Sequence, residues 1–232
     1  ENRSLILLGK IVGREKELQL LEQAFHTIFS APAPLLPCSP ALFISGEAGI
    51  GKSRLVTEFK HYVQVNDILF ITGNCYEDTK IPYQPFLEIL KQISLYAPEE
   101  LSGKYTQQLR YLWVGKQKIE NGELKNGATP GENVKENMED IDHQQLITDI
   151  CEYILQINKV KPFVLFLNDI HWADDLSIEL LQYLINQESV VSSQSSVAKE
   201  ADTPLPHYSI TPPILLIATY RDNEIEGTPN SP

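Results

Sequence analysis

The sequence predicts an α/β fold with a mainly parallel central sheet flanked by helices. Three observations predict it. Short apolar runs ("ALFIS", "ILFITG", "PFVLFL", "PILLIATY") alternate with longer stretches whose apolar residues recur at helical spacing. Several of these runs are apolar throughout, as in strands buried on both faces of a parallel sheet. A glycine-rich turn also joins the first run to a helix, the strand-then-helix succession of α/β proteins.

Each element can be justified in order. Residues 15–30 carry Leu18, Leu21, Phe25, Ile28 and Phe29 on one helix face, and the Pro-rich "APAPLLPCSP" stops that helix. "ALFIS" reads as a short buried strand, and the helix after it aligns Leu55, Val56, Phe59, Tyr62 and Val63. "ILFITG" is a second strand. "YQPFLEILKQISL" is a helix opened by Pro85 near its first turn, where proline is tolerated. Leu146, Ile147, Ile150, Cys151, Ile154 and Ile157 mark a further amphipathic helix. "PFVLFL" reads as a fully buried strand, and Asp174 as the N-cap of a helix carrying Leu180, Leu181 and Leu184. The organisation expected is an N-terminal segment with its linker over 1–40, a core over 41–225 and a tail over 226–232. The core carries polar insertions, an aperiodic one near 115–137 and a low-complexity one near 188–212. With no initiator Met and no secretory signal, the chain is expected to be a piece of a larger protein.

Composition narrows the function classes. Hydrophobic content of 42% and charged content of 22% over 232 residues are those of a globular protein with a sizeable core. No apolar run reaches bilayer length, so no membrane partner and a cytoplasmic location are expected. A net charge of −12 argues against nucleic acid as a partner of this domain. Cys38, Cys75 and Cys151 lack ligand spacing and read as reduced thiols.

The chemistry is carried first by "GEAGIGKS". Gly46, Gly51, Lys52 and Ser53 satisfy G-x-x-x-x-G-K-[ST], between a predicted strand and a predicted helix. Glycines let successive backbone N–H groups of Gly46, Glu47, Ala48, Gly49, Ile50 and Gly51 turn onto phosphate oxygens. The helix that continues through Lys52, Ser53 and Arg54 adds its positive end. Lys52 can reach the outer phosphates and Ser53 can ligate Mg²⁺. The fold class thereby becomes the P-loop NTPase three-layer fold.

A partner carboxylate is expected after a neighbouring apolar strand, and "FVLFLND" is the good candidate. Asn168 takes the first position and Asp169 the second. Asp169 either serves the metal and the attacking water or merely caps a loop. Asn168 can accept a hydrogen bond from a metal-bound water but brings no charge, so nucleotide binding is expected to survive while hydrolysis is weakened. His171 and Trp172 either shape the site or pack beneath the next helix. At the end of "LLIATYRDNEI", Thr219 and Arg221 could sense a terminal phosphate, or Arg221 could be a surface residue.

Taken together, "IVGREKELQLLEQAF", "ISGEAGIGKSRL", "ITGNCYEDTKIPYQPFLEIL", "VLFLNDIHWADD" and "LLIATYRDNE" resemble the AAA-like ATPase domain of the STAND class of signal-transduction NTPases. Such domains occur in large LuxR-type activators, multidomain bacterial protein kinases and class III adenylyl cyclase-linked proteins. The resemblance implies ATP/ADP and Mg²⁺ as cofactors, with Val12, Gly13 and Arg14 near the adenine and Arg221 as the first sensor. It implies a regulatory switch whose partners are other domains of the full-length protein, with nucleotide-dependent self-association as a further expectation. A non-hydrolysing scaffold with a structural nucleotide and a DNA-associated AAA ATPase are the alternatives. Asn168 departs from the family, which typically has Asp there.

Overall fold

The structure, a computed structural model, describes residues 13–29, 40–77, 81–101, 103, 143–193 and 214–222. Five helices and four strands make up the frame used below: α1 (Glu15–Phe29), β1 (Ala41–Ile44), α2 (Lys52–Val65), β2 (Leu69–Asn74), α3 (Gln84–Ile93), α4 (His143–Val160), β3 (Phe163–Asn168), α5 (Asp175–Ser193) and β4 (Leu215–Thr219). All strand pairs are parallel, in the order β1-β4-β3-β2. Val12, the stretch 115–137, residues 194–212 and the tail 226–232 lie outside the described residues.

The two faces of the sheet are covered by two separate cores, which gives the three layers. Period-two alternation sends Phe163, Leu165 and Leu167 of β3 to the face packed by α3, α4 and α5. Val164 and Phe166 point to the other, packed by α1 and α2. Along β4, Leu216 and Ala218 face the first core while Leu215 and Ile217 face the second. This is the α/β P-loop NTPase architecture. The predicted helix faces are the buried ones: Leu21, Phe25 and Ile28 in α1, and Leu55, Val56, Phe59 and Val63 in α2. In α4 every residue named from the pattern is buried. The buried Asn158 starts β3 by accepting the Phe163 N–H at 3.1 Å.

One expectation is revised. "ALFIS" is not a buried strand: β1 is the end strand of the described sheet, and Phe43 is 50% exposed. An apolar run of four residues does not distinguish a central strand from an edge, because its neighbours are set by the order of distant strands. Within the polar stretch near 188–212, α5 runs on to Ser193. Residues 188–193, "ESVVSS", contain no Gly or Pro that would stop a helix there.

The outer edge of β2 is guarded by α3. The Thr72 N–H donates to Gln92 Oε1 at 3.3 Å and the Thr72 carbonyl accepts from Gln92 Nε2 at 2.6 Å. The Asn74 N–H and side-chain amide both donate to Glu88 Oε2, at 3.1 and 2.9 Å. Unpaired strand groups are thereby satisfied by side chains. The approach requires Gly73, where a Cβ would stand 2.5 Å from the Pro85 carbonyl oxygen.

Candidate functional site

The carboxyl end of β1 runs through Ser45 into a loop that closes on the first turn of α2. Gly46, Gly49 and Gly51 have φ of 143°, 79° and 98°, conformations costly for any residue with a Cβ. Alternating such glycines with ordinary residues winds successive amides toward an anion. Glu47, Ala48, Gly49 and Ile50 are exposed, and the Ile50 N–H closes a turn on the Glu47 carbonyl at 3.5 Å. α2 starts at Lys52, capped by Gly51. The Lys52 side chain folds back into the loop and is only 7% exposed. Its ammonium donates to the carbonyl oxygens of Gly46 at 2.5 Å and Glu47 at 3.0 Å. Ser53 is exposed in the first turn, and Arg54 pairs with Glu58 at 3.6 Å one turn on.

The "GRE" segment reaches this loop from the other end of the described chain. Arg14 Nη2 donates to the Ile50 carbonyl at 2.9 Å, and its Nε lies 3.7 Å from where a Cβ on Gly51 would be. Gly13 has φ of 83° and donates its N–H to Glu15 Oε2 at 3.0 Å. Gly13 and Arg14 therefore sit beside the phosphate-type loop.

At the end of β3 the chain turns sharply. Asp169 is left-handed, with φ 54°, and opens a 3₁₀ turn over Ile170–Trp172. Non-glycine residues adopt this conformation at a cost of about 1–3 kcal/mol, tolerated where surroundings fix it. Here Thr219 at the end of β4 supplies the constraint. The Asp169 N–H donates to Thr219 Oγ1 at 3.0 Å, and that hydroxyl donates to Asn168 Oδ1 at 3.0 Å. Asn168 Nδ2 completes the ring by donating to Asp169 Oδ2 at 3.3 Å. The buried Thr219 and the amide of Asn168 thus hold the Asp169 turn from both sides.

Beyond the turn, His171 and Trp172 are half-buried, with ring centroids 4.5 Å apart. The Arg221 guanidinium lies over the Trp172 ring, 4.7 Å from its centroid. Asp174 does more than cap its own helix. Its Oδ1 accepts the Ser177 N–H at 3.0 Å and the Tyr83 N–H at 3.3 Å, and its Oδ2 accepts the Ser177 hydroxyl at 2.5 Å. Cys75, after β2, is buried near Asp174, Asp169 and Glu88. Burial first, and those carboxylates second, push its thiol up to about 12.

The structure therefore brings Arg14 to the loop of Gly46–Ser53, and separately joins Asn168, Asp169 and Thr219 at the adjacent strand ends. A family model described as an AAA ATPase domain matches residues 10–197. The chain belongs to the AAA ATPase domain family. Membership implies nucleotide binding, usually with Mg²⁺. No curated protein matches the chain closely enough to count as a relative. In this AAA ATPase domain, Thr219 and Arg221 lie past the matched residues, and their place beside Asp169 comes from the strand order. The bridging role of Thr219 and the double capping by Asp174 were not foreseen. Thr219 is 51 residues from Asn168 and Asp174 is 91 from Tyr83, separations that no local pattern spans. Among the described residues no group of three or more His, Cys, Asp or Glu could hold a metal ion, and no helix is long and apolar enough to cross a membrane.

Proposed function

We propose that the chain is an ATP-binding regulatory switch module of the STAND class, hydrolysing slowly, within a multidomain signalling protein. The observation that carries this reading is the loop of positive-φ glycines folded around the nearly buried Lys52 and braced by Arg14. The backbone amides and Lys52 bind the phosphates, and the resemblance to STAND domains supports ATP over GTP. The oxygen donors Ser53 Oγ and the Asp169 carboxylate suit a hard cation, and would hold Mg²⁺ with Asn168 behind Asp169. Bound Mg²⁺ supplies charge neutralisation at the outer phosphates. Asp169, fixed by Thr219 and Asn168, orients water, while Arg221 contributes positive charge toward the terminal phosphate. The partners are neighbouring domains of the same protein, with self-association when nucleotide is bound. ATP biases the module only through contacts that differ between its states.

The test is equilibrium binding of Mg-ATP to the wild type and to Lys52→Ala. Tight binding by the wild type, lost in the variant, is expected; equal affinities would sink the reading. A second reading, a scaffold that holds nucleotide without hydrolysing it, is favoured by Asn168, whose amide bonds Thr219 and Asp169 and carries no charge. Undetectable turnover together with nucleotide-dependent melting would select it.

A further inference from the structure

Arg221 and Trp172 meet in a way that phosphate chemistry leaves unexplained. At 4.7 Å from the ring centroid, the guanidinium is within cation–π range. The Trp172 backbone N–H donates to the Asp169 carbonyl at 3.0 Å, so residue 172 belongs to the same turn as Asp169. Arg221 follows Thr219 by two residues, and Thr219 bonds both Asn168 and Asp169. Beside the strand ladder, a hydrogen-bonded link through Thr219 and a stacked one through Trp172 therefore connect the ends of β3 and β4.

We propose that Trp172 is a positioning residue for Arg221, whose ring holds the guanidinium at the carboxyl end of β4 ready for a terminal phosphate. This rests on the nucleotide-switch reading above. An arginine side chain has much rotamer freedom to lose, and a planar stack removes part of it before the phosphate is met. The benefit falls on ATP, which carries the phosphate that Arg221 reads, and not on ADP.

The experiment is a double-mutant cycle on the whole chain, with separate affinities for Mg-ATP and Mg-ADP. Trp172→Leu is expected to weaken Mg-ATP by about three- to fivefold, the range of an exposed cation–π contact, and to leave Mg-ADP unchanged. Trp172→Phe should retain most of the preference. On an Arg221→Ala background, Trp172→Leu should add nothing. Arg221→Lys, which keeps the charge but not the planar face, should behave like Trp172→Leu and tests the stack even if Trp172→Leu fails to fold. Equal losses for both nucleotides, or a Trp172 effect that persists without Arg221, would show a purely structural role and overturn the assignment. A wild-type chain that binds neither nucleotide would instead overturn the proposed function itself.

Discussion

At position 168 an amide stands where a carboxylate was expected, and its hydrogen bonds explain what it does there. Asn168 donates to Asp169 and accepts from Thr219, two opposite demands that one ionised carboxylate cannot meet. Asn168→Asp would place a second negative charge against Asp169 and remove the donor. We expect this variant to lower stability by about 1–2 kcal/mol, the cost of losing one half-exposed hydrogen bond and gaining a like-charge contact. We also expect it not to speed Mg-ATP turnover. Thermal melting beside steady-state turnover checks both, and a faster, equally stable variant would mean that Asn168 acts as a brake. The phosphate loop was legible because its residues are contiguous and their spacing is the chemistry. The Asn168–Thr219–Asp169 ring was not, because it exists only once β4 lies beside β3.

Among the elements, α3 and α5 share one carboxylate. Asp174 was recognisable as the N-cap of α5 from its place before an apolar helix. Its second bond, to the Tyr83 N–H at the start of α3, follows from the fold alone. Asp174→Ala should therefore cost more than a single cap, about 2 kcal/mol rather than about 1. Asp174→Asn, which keeps the acceptor Oδ1, should recover most of the loss. Urea midpoints of the three proteins decide this; an alanine variant as stable as the wild type would remove Asp174 from the α3 contact. Helix faces were legible because burial follows the period of the apolar residues. The standing of β1 as an end strand was not, since "ALFIS" reads alike in the centre of a sheet and at its edge.

For the whole molecule, buried acids that stay neutral set the response to alkali. Burial, with Asp174, Asp169 and Glu88 nearby, holds Cys75 up to about 12; burial raises Cys151 further, and burial with Glu179 and Asp174 raises Tyr83 to about 12. Each folded value lies above the unfolded one, so the unfolded chain releases its protons first. This stabilisation is complete below the ordinary thiol value, about 8.5, and is lost as pH rises from there toward 12. Urea midpoints should be level from pH 7 to 8 and fall steadily above 9, with a shallower fall in Cys151→Ala; a flat profile to pH 11 would refute it. The edge of β2 has a consequence of another kind, for crowded solution. An open strand edge is a template on which a second molecule can polymerise. Glu88 and Gln92 already occupy the Thr72 and Asn74 groups that such growth would use. Fibre growth from this side must first lift α3 from the sheet, so resistance to aggregation here is as large as the cost of undocking one helix.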